Sequence, residues 1–97
     1  MSVMVTVELP TKRDKLGEFL NLLKEALVTT RGFKGCQKVD TFVDEDKPSI
    51  LLVELWDAPK DQEAYMAWRL ETGLLETIAP FISEDPIIRS FEIREDV

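Results

Sequence analysis

Tyr65, Trp68, Arg69, Glu71 and Thr72 crowd into the run Ala64-Tyr65-Met66-Ala67-Trp68-Arg69-Leu70-Glu71-Thr72-Gly73. On helical spacing Ala64, Trp68, Thr72 and Leu75 share one face, with Tyr65 and Arg69 on its flank. A small Ala one turn before an indole leaves room beside it for a flat apolar ligand. The same residues admit a plainer reading, in which Trp68 fills a core and Arg69 pairs with Glu71 on the surface. Trp56 has the same two readings: it lines a pocket mouth or plugs the end of a sheet. Arg31 suits a planar carboxylate or phenolate through its forked donors, or it only neutralises a helix C-terminus. Glu8, Glu54 and Glu92 fall within strand-like segments, where a carboxylate is costly unless paired. Arg69, Arg89 and Arg94 are the available partners; a solvated cavity between sheets is the alternative. Cys36 reads as a small buried filler.

The chain contains no histidine. That removes His-ligated haem, most zinc sites, Ser/His and Cys/His nucleophile pairs and a histidine general base. Chemistry falls to Asp, Glu, Tyr, Arg, Lys, Trp, backbone groups or the substrate itself. No spacing among the acids resembles a metal site, so the expectation is a site with neither metal nor cofactor.

A net charge of -7 argues against a phosphate-backbone partner. The densest basic group, Lys12, Arg13 and Lys15, is interrupted by Asp14. A single cysteine forms no internal disulfide, so nothing points to an oxidising compartment. The N-terminus lacks the pattern of a signal peptide, and the longest apolar run, Ile50 to Val53, is far too short to span a bilayer. The expectation is a soluble, cytoplasmic protein with no nucleic-acid or membrane partner. Ninety-seven residues suit one domain, spanning 1–97.

The elements that must position these residues follow from periodicity. Val3, Val5, Val7 and Leu9 alternate as in a strand over 3–9. Thr11 with Asp14 resembles a capping box for a helix over 11–30, in which Leu16, Phe19, Leu20, Leu23, Ala26 and Leu27 face inward. Gly32 is the expected left-handed stop. Strands are predicted at 36–43, 49–57 and 87–94, the first two closing a hairpin over Asp44 to Pro48. A second helix is expected over 59–75, with Pro59 in its first turn. The order β-α-β-β-α-β predicts an α+β, ferredoxin-like fold: a four-stranded antiparallel sheet with both helices on one face. Yet the segment from Ser49 to Trp56 is apolar on both sides, with Leu51, Val53 and Leu55 on one and Ile50, Leu52 and Trp56 on the other. A second copy of the sheet is the simplest cover, which predicts a homodimer.

Gly35-Cys36 before a strand, a hairpin, a strand ending Val53-Glu54-Leu55-Trp56-Asp57, and Ala64 one turn before an aromatic together resemble the antibiotic-biosynthesis-monooxygenase family. With the preceding strand and helix, the resemblance covers nearly the whole chain and implies a dimeric α+β barrel. Members include cofactor-independent monooxygenases of polycyclic phenols and quinols, haem-degrading enzymes and isomerases of small sugar phosphates. Many carry a His where this chain has Trp68, so the resemblance does not extend to His-dependent chemistry. It implies instead an electron-rich phenolate or quinol anion that reduces dioxygen directly. Trp56, Tyr65 and Trp68 would form the apolar slot, with Thr72 beside them. Arg69 or Arg31 would pair with the anion, and Glu71 would take the proton. The other class it leaves open is a non-catalytic dimeric module binding a small ligand or a partner protein.

Overall fold

The computed structural model describes residues 2–97. Alternating apolar side chains build its centre. In β1 (Val3–Pro10), Val3, Val5, Val7 and Leu9 are all buried, while Met4 and Thr6 between them are half-buried and Glu8 is exposed. After a 3-10 turn at Arg13–Lys15 comes α1 (Leu16–Arg31), followed by β2 (Cys36–Asp44), β3 (Ser49–Trp56), α2 (Pro59–Glu71), α3 (Leu74–Ile78) and β4 (Ile87–Glu92). The strands form one sheet in the order β2-β3-β1-β4, every neighbour antiparallel. This is the ferredoxin-like arrangement that the sequence predicts, with a short third helix in the return from α2 to β4.

Register decides which face each residue serves. Val5 lies opposite Glu54, and Val7 lies opposite both Leu52 and Ile88. Ile50, Leu52, Glu54 and Trp56 therefore share the helix-covered face with the valines of β1. On α1, Phe19, Leu23, Leu27 and Thr30 are buried at successive turns, the stripe expected of a helix laid on a sheet. Phe19 also stacks on Phe81 of the return segment, with ring centroids 5.0 Å apart. On α2 the buried residues are Gln62 and Tyr65.

Four local expectations are corrected. Thr11 caps no helix: its hydroxyl donates to the Leu9 carbonyl at 2.7 Å and its backbone forms an isolated bridge with Ile82, holding the return segment beside the end of β1. Gly32 is not left-handed; at φ −88° its N–H joins the tightened last turn of α1 through the Val28 and Thr29 carbonyls. The left-handed residue is Gly35, at φ +88°. The second helix stops at Glu71 because Gly73 turns left-handed at φ +93°, and α3 restarts from there. β4 ends at Glu92, two residues early, and Arg94 beyond it pairs with Asp96 at 2.7 Å.

Gly35 is where the chain passes beneath α2. A Cβ added there would lie 2.4 Å from the Asp61 side chain, and an L-residue at that φ is strained in any case. Gly35→Ala is therefore expected to destabilise the fold by about 1–3 kcal/mol. Gly17→Ala, in the first turn of α1 with open space around it, should leave stability unchanged or raise it by up to ~1 kcal/mol. Urea melts of the two variants check the contrast, and equal effects would contradict it.

Candidate functional site

Between the helices and the sheet lies a cavity of about 230 Å³. Val7, Leu52 and Ile88 contribute its floor, Leu23 and Leu27 the α1 wall, Met66 and Leu70 the α2 wall, and Leu74 and Ile78 the α3 wall. The helices leave this region open: α1 packs against β2 and α2 against β3. Ile88 of β4, on the same face, stays 48% exposed. Apolar walls with a few convergent polar groups are the usual form of a small-molecule site.

The polar groups converge from β3 and α2. Arg69 donates from Nε to the Tyr65 hydroxyl at 2.7 Å, and from Nη2 to the Ala26 carbonyl at 2.8 Å and to Thr30 Oγ1 at 3.0 Å. The Tyr65 and Thr30 hydroxyls are 2.6 Å apart. Each oxygen accepts from Arg69 and each hydroxyl keeps its own proton, so one of the two donates across this gap. The guanidinium also lies over two rings, 4.9 Å from the Trp68 centroid and 5.2 Å from that of Tyr65. Nη1 has no hydrogen-bond partner among the described residues.

Glu54 is the cavity's carboxylate, only 2% exposed. Its Oε1 accepts from the Trp56 indole N–H at 2.9 Å, whereas Oε2 has no partner among the described residues. Burial pushes its pKa above the ordinary glutamate value, against the opposing pull of the indole N–H and the Arg69 charge.

Of the residues singled out from the sequence, Glu54, Tyr65, Arg69 and Thr72 line this cavity. Trp56, Trp68, Arg31 and Glu71 are not among its lining residues. Trp56 is fully buried, its indole N–H bonded to Glu54 two residues back on the same strand. Trp68 is half-buried in an aromatic cluster with Phe33 and Tyr65. The helix presents Tyr65 inward and leaves Ala64 exposed, so the Ala64 flank of the indole is no part of this cavity. Arg31 donates to the Val39 carbonyl at 2.9 Å, tying α1 to β2. Glu71 is exposed and forms no ion pair with Arg69. Arg89 lies over the Phe91 ring at 4.6 Å, so neither it nor Arg94 meets the strand acids. Cys36 is half-buried, and burial followed by the Glu54 charge raises its thiol pKa.

Sequence reasoning raised Glu54 only as a strand carboxylate in need of a partner or a cavity and gave the proton to Glu71, although a sharper signal was present. Glu54 alone is charged in the inward stripe Ile50, Leu52, Glu54, Trp56. Among the described residues no group of His, Cys, Asp and Glu is placed to hold a metal, and no helix is long and apolar enough to cross a membrane.

The family model described as "Antibiotic biosynthesis monooxygenase" matches residues 2–79. Solved structures share the fold. A protein from Methanosarcina mazei Go1 superposes with a TM-score of 0.85 at 15% identity, covering 97% of this chain and 94% of that one. A candidate antibiotic biosynthesis monooxygenase from Deinococcus radiodurans gives 0.84 at 21% identity, covering 98% and 95%. A monooxygenase from the gene ActVA-Orf6 of Streptomyces coelicolor, in complex with the ligand nanaomycin D, gives 0.81 at 13%, covering 99% and 90%. The search of curated proteins finds no match.

The raised pKa of Glu54 carries a sign for stability. A carboxyl whose folded pKa exceeds its unfolded one favours the native state while protonated, and that contribution is lost as pH rises through the folded value. Wild type should therefore lose stability relative to Glu54→Gln as pH is raised from about 4 toward 7, starting from the ordinary glutamate range. Thermal melts of both proteins across that window check it. A difference that stays flat with pH would mean the carboxyl titrates as it does in the unfolded chain.

Proposed function

The chain belongs to the antibiotic biosynthesis monooxygenase family, and from that premise we propose that it takes a flat hydroxylated aromatic into the cavity and oxidises it with dioxygen, without a bound cofactor. The observation that carries this reading is the apolar cavity with Glu54, Tyr65 and Arg69 converging at one side. The bound nanaomycin D of the Streptomyces coelicolor protein supports a small-molecule ligand for this fold. An electron-rich phenolate or quinol anion is itself the reductant of dioxygen. The protein's task is to orient it and to stabilise negative charge.

Each side chain then has a part. Leu23, Leu27, Leu52 and Ile88 sandwich the ring system. Arg69, its Nε and Nη2 engaged, offers Nη1 to the developing anion. Tyr65 and Thr30 hold the guanidinium in place, and Trp68 backs it from outside the wall. Thr72 offers a hydroxyl at the rim, although that hydroxyl also donates to the Trp68 carbonyl at 2.9 Å. A second reading is a module that binds such a ligand without turning it over. The observation favouring it is Arg69 itself, most of whose donors already serve the protein.

Oxygen uptake with a panel of dihydroxynaphthalenes and anthrones separates the readings. Wild type is expected to consume dioxygen, and Arg69→Lys to lose about 10²-fold in kcat/KM through the broken fork geometry. A ligand-dependent rise in Tm without oxygen uptake would leave the binding module. Neither response would remove the cavity as a ligand site.

We also propose a two-fold homodimer built on the sheet face away from the helices. Leu51, Val53 and Leu55 of β3 and Met4 and Phe91 beside them are half-buried there, and Phe42 is 54% exposed. This apolar stripe along β3, flanked on the same face by Glu8, Lys38, Asp40 and Arg89, fits an interface core with a charged rim. Sedimentation at micromolar concentration should give about twice the chain mass. Phe42→Asp and Val53→Asp together should return the monomer, and a wild-type monomer would contradict the assignment.

A further inference from the structure

We propose that Glu54 is the cavity's acceptor for a ligand hydroxyl, so that the substrate class is a neutral planar phenol that surrenders its proton inside the site. The proposal rests on the reading of the cavity as a ligand site and deepens it. Glu54 is the only carboxylate lining that cavity. Its two oxygens are unequal: the Trp56 indole N–H holds Oε1 at 2.9 Å, and Oε2 is left without a partner among the described residues. An indole nitrogen is a donor only, so this bond fixes the carboxyl's orientation without competing for a ligand proton.

The surroundings favour a neutral incomer. A phenolate arriving from water would lose its hydration in walls that are almost wholly apolar, and one carboxylate is already there. A neutral phenol enters at smaller cost and brings the donor that Oε2 lacks. The proton then moves within an existing hydrogen bond. The ligand O–H bond breaks, an O–H bond forms on Glu54 Oε2, and the electron pair stays on the ligand oxygen. Arg69 lies on the same side of the cavity to balance that charge. The titratable groups facing Glu54 are Tyr65 and Arg69 from α2 and Cys36 from β2; α1, α3, β1 and β4 line the cavity with apolar, alanine or hydroxyl side chains. The raised proton affinity of Glu54 suits an acceptor for a weak acid.

7-Hydroxycoumarin and its O-methyl ether serve as probes, being planar, fused and nearly isosteric. Wild type should bind the phenol at least about tenfold more tightly than the ether, as expected for a hydrogen bond to a charged acceptor. In Glu54→Gln, which keeps an acceptor for the Trp56 indole, the gap should shrink to about threefold or less. Wild-type affinity should rise with pH as Glu54 ionises, then fall as the probe's own hydroxyl ionises; the variant should lose the rising arm. Equal affinity of wild type for phenol and ether overturns the proposal. So does an unchanged gap in the variant, or binding that strengthens as the probe becomes an anion. If wild type binds neither probe, the ligand-site reading fails with it, an outcome distinct from binding both equally.

Discussion

The hydroxyls of Thr30 and Tyr65, 2.6 Å apart, fasten the end of α1 to the middle of α2, and the interior is arranged around that contact. Two polar side chains in a core are tolerable only if their hydrogen-bonding capacity is met. Arg69 meets it, donating to both oxygens and to the Ala26 carbonyl. A cation near the last turns of α1 is also favoured by the partial negative charge of that helix end. The clamp thus sets the angle between two helices that otherwise rest on different strands, and a cavity opens beside it. Aromatic packing reinforces the arrangement from outside, with Phe33 touching Trp56, Tyr65 and Trp68.

Glu54 and Trp56 are coupled in the same spirit. They are two residues apart on β3 and so point to the same side of the sheet. Trp56 fills the end of the core and spends its single polar hydrogen on the acid. The acid in turn can be buried because one of its oxygens is so engaged. Structural and chemical duties are split between two oxygens of one carboxyl group, which is why removing the whole group tests less than replacing it with an amide.

Much of the fold was legible in the sequence because β1 alternates with a period of two, β3 is an apolar run bounded by turn residues, and α1 carries a clear apolar stripe. The phase of α2 was not legible. It buries a glutamine and a tyrosine, leaves Leu70, Ala64 and Ala67 exposed, and carries an aromatic on each of two adjoining faces. Periodicity alone then cannot choose between Tyr65 and Trp68 as the inward residue. The choice falls to Tyr65, whose hydroxyl finds two partners at the site where an indole N–H would find acceptors already occupied by Arg69. Glu54 could be flagged as a costly strand carboxylate, but the sequence did not distinguish it from Glu8 and Glu92, since only the register places it on the helix-covered face. Gly73, by contrast, stood in plain view, and a glycine there was sufficient reason to end the helix.

The strand order also bears on how the chain comes to be folded at all. Of the four strands β1 is made before the others, yet it occupies the middle of the sheet, between β3 and β4. The β2–β3 hairpin closes locally, whereas β1 must wait for one partner from mid-chain and another from the last residues. Until β4 has been made, its apolar run Val3 to Leu9 has at least one unpaired edge, the kind of segment that recruits other strands. Such non-local pairing is slow to form, so the nascent chain's exposure to misassociation is governed by its final six-residue strand, β4. A truncation that spares every cavity wall contributed by the helices would still leave the central strand half-paired.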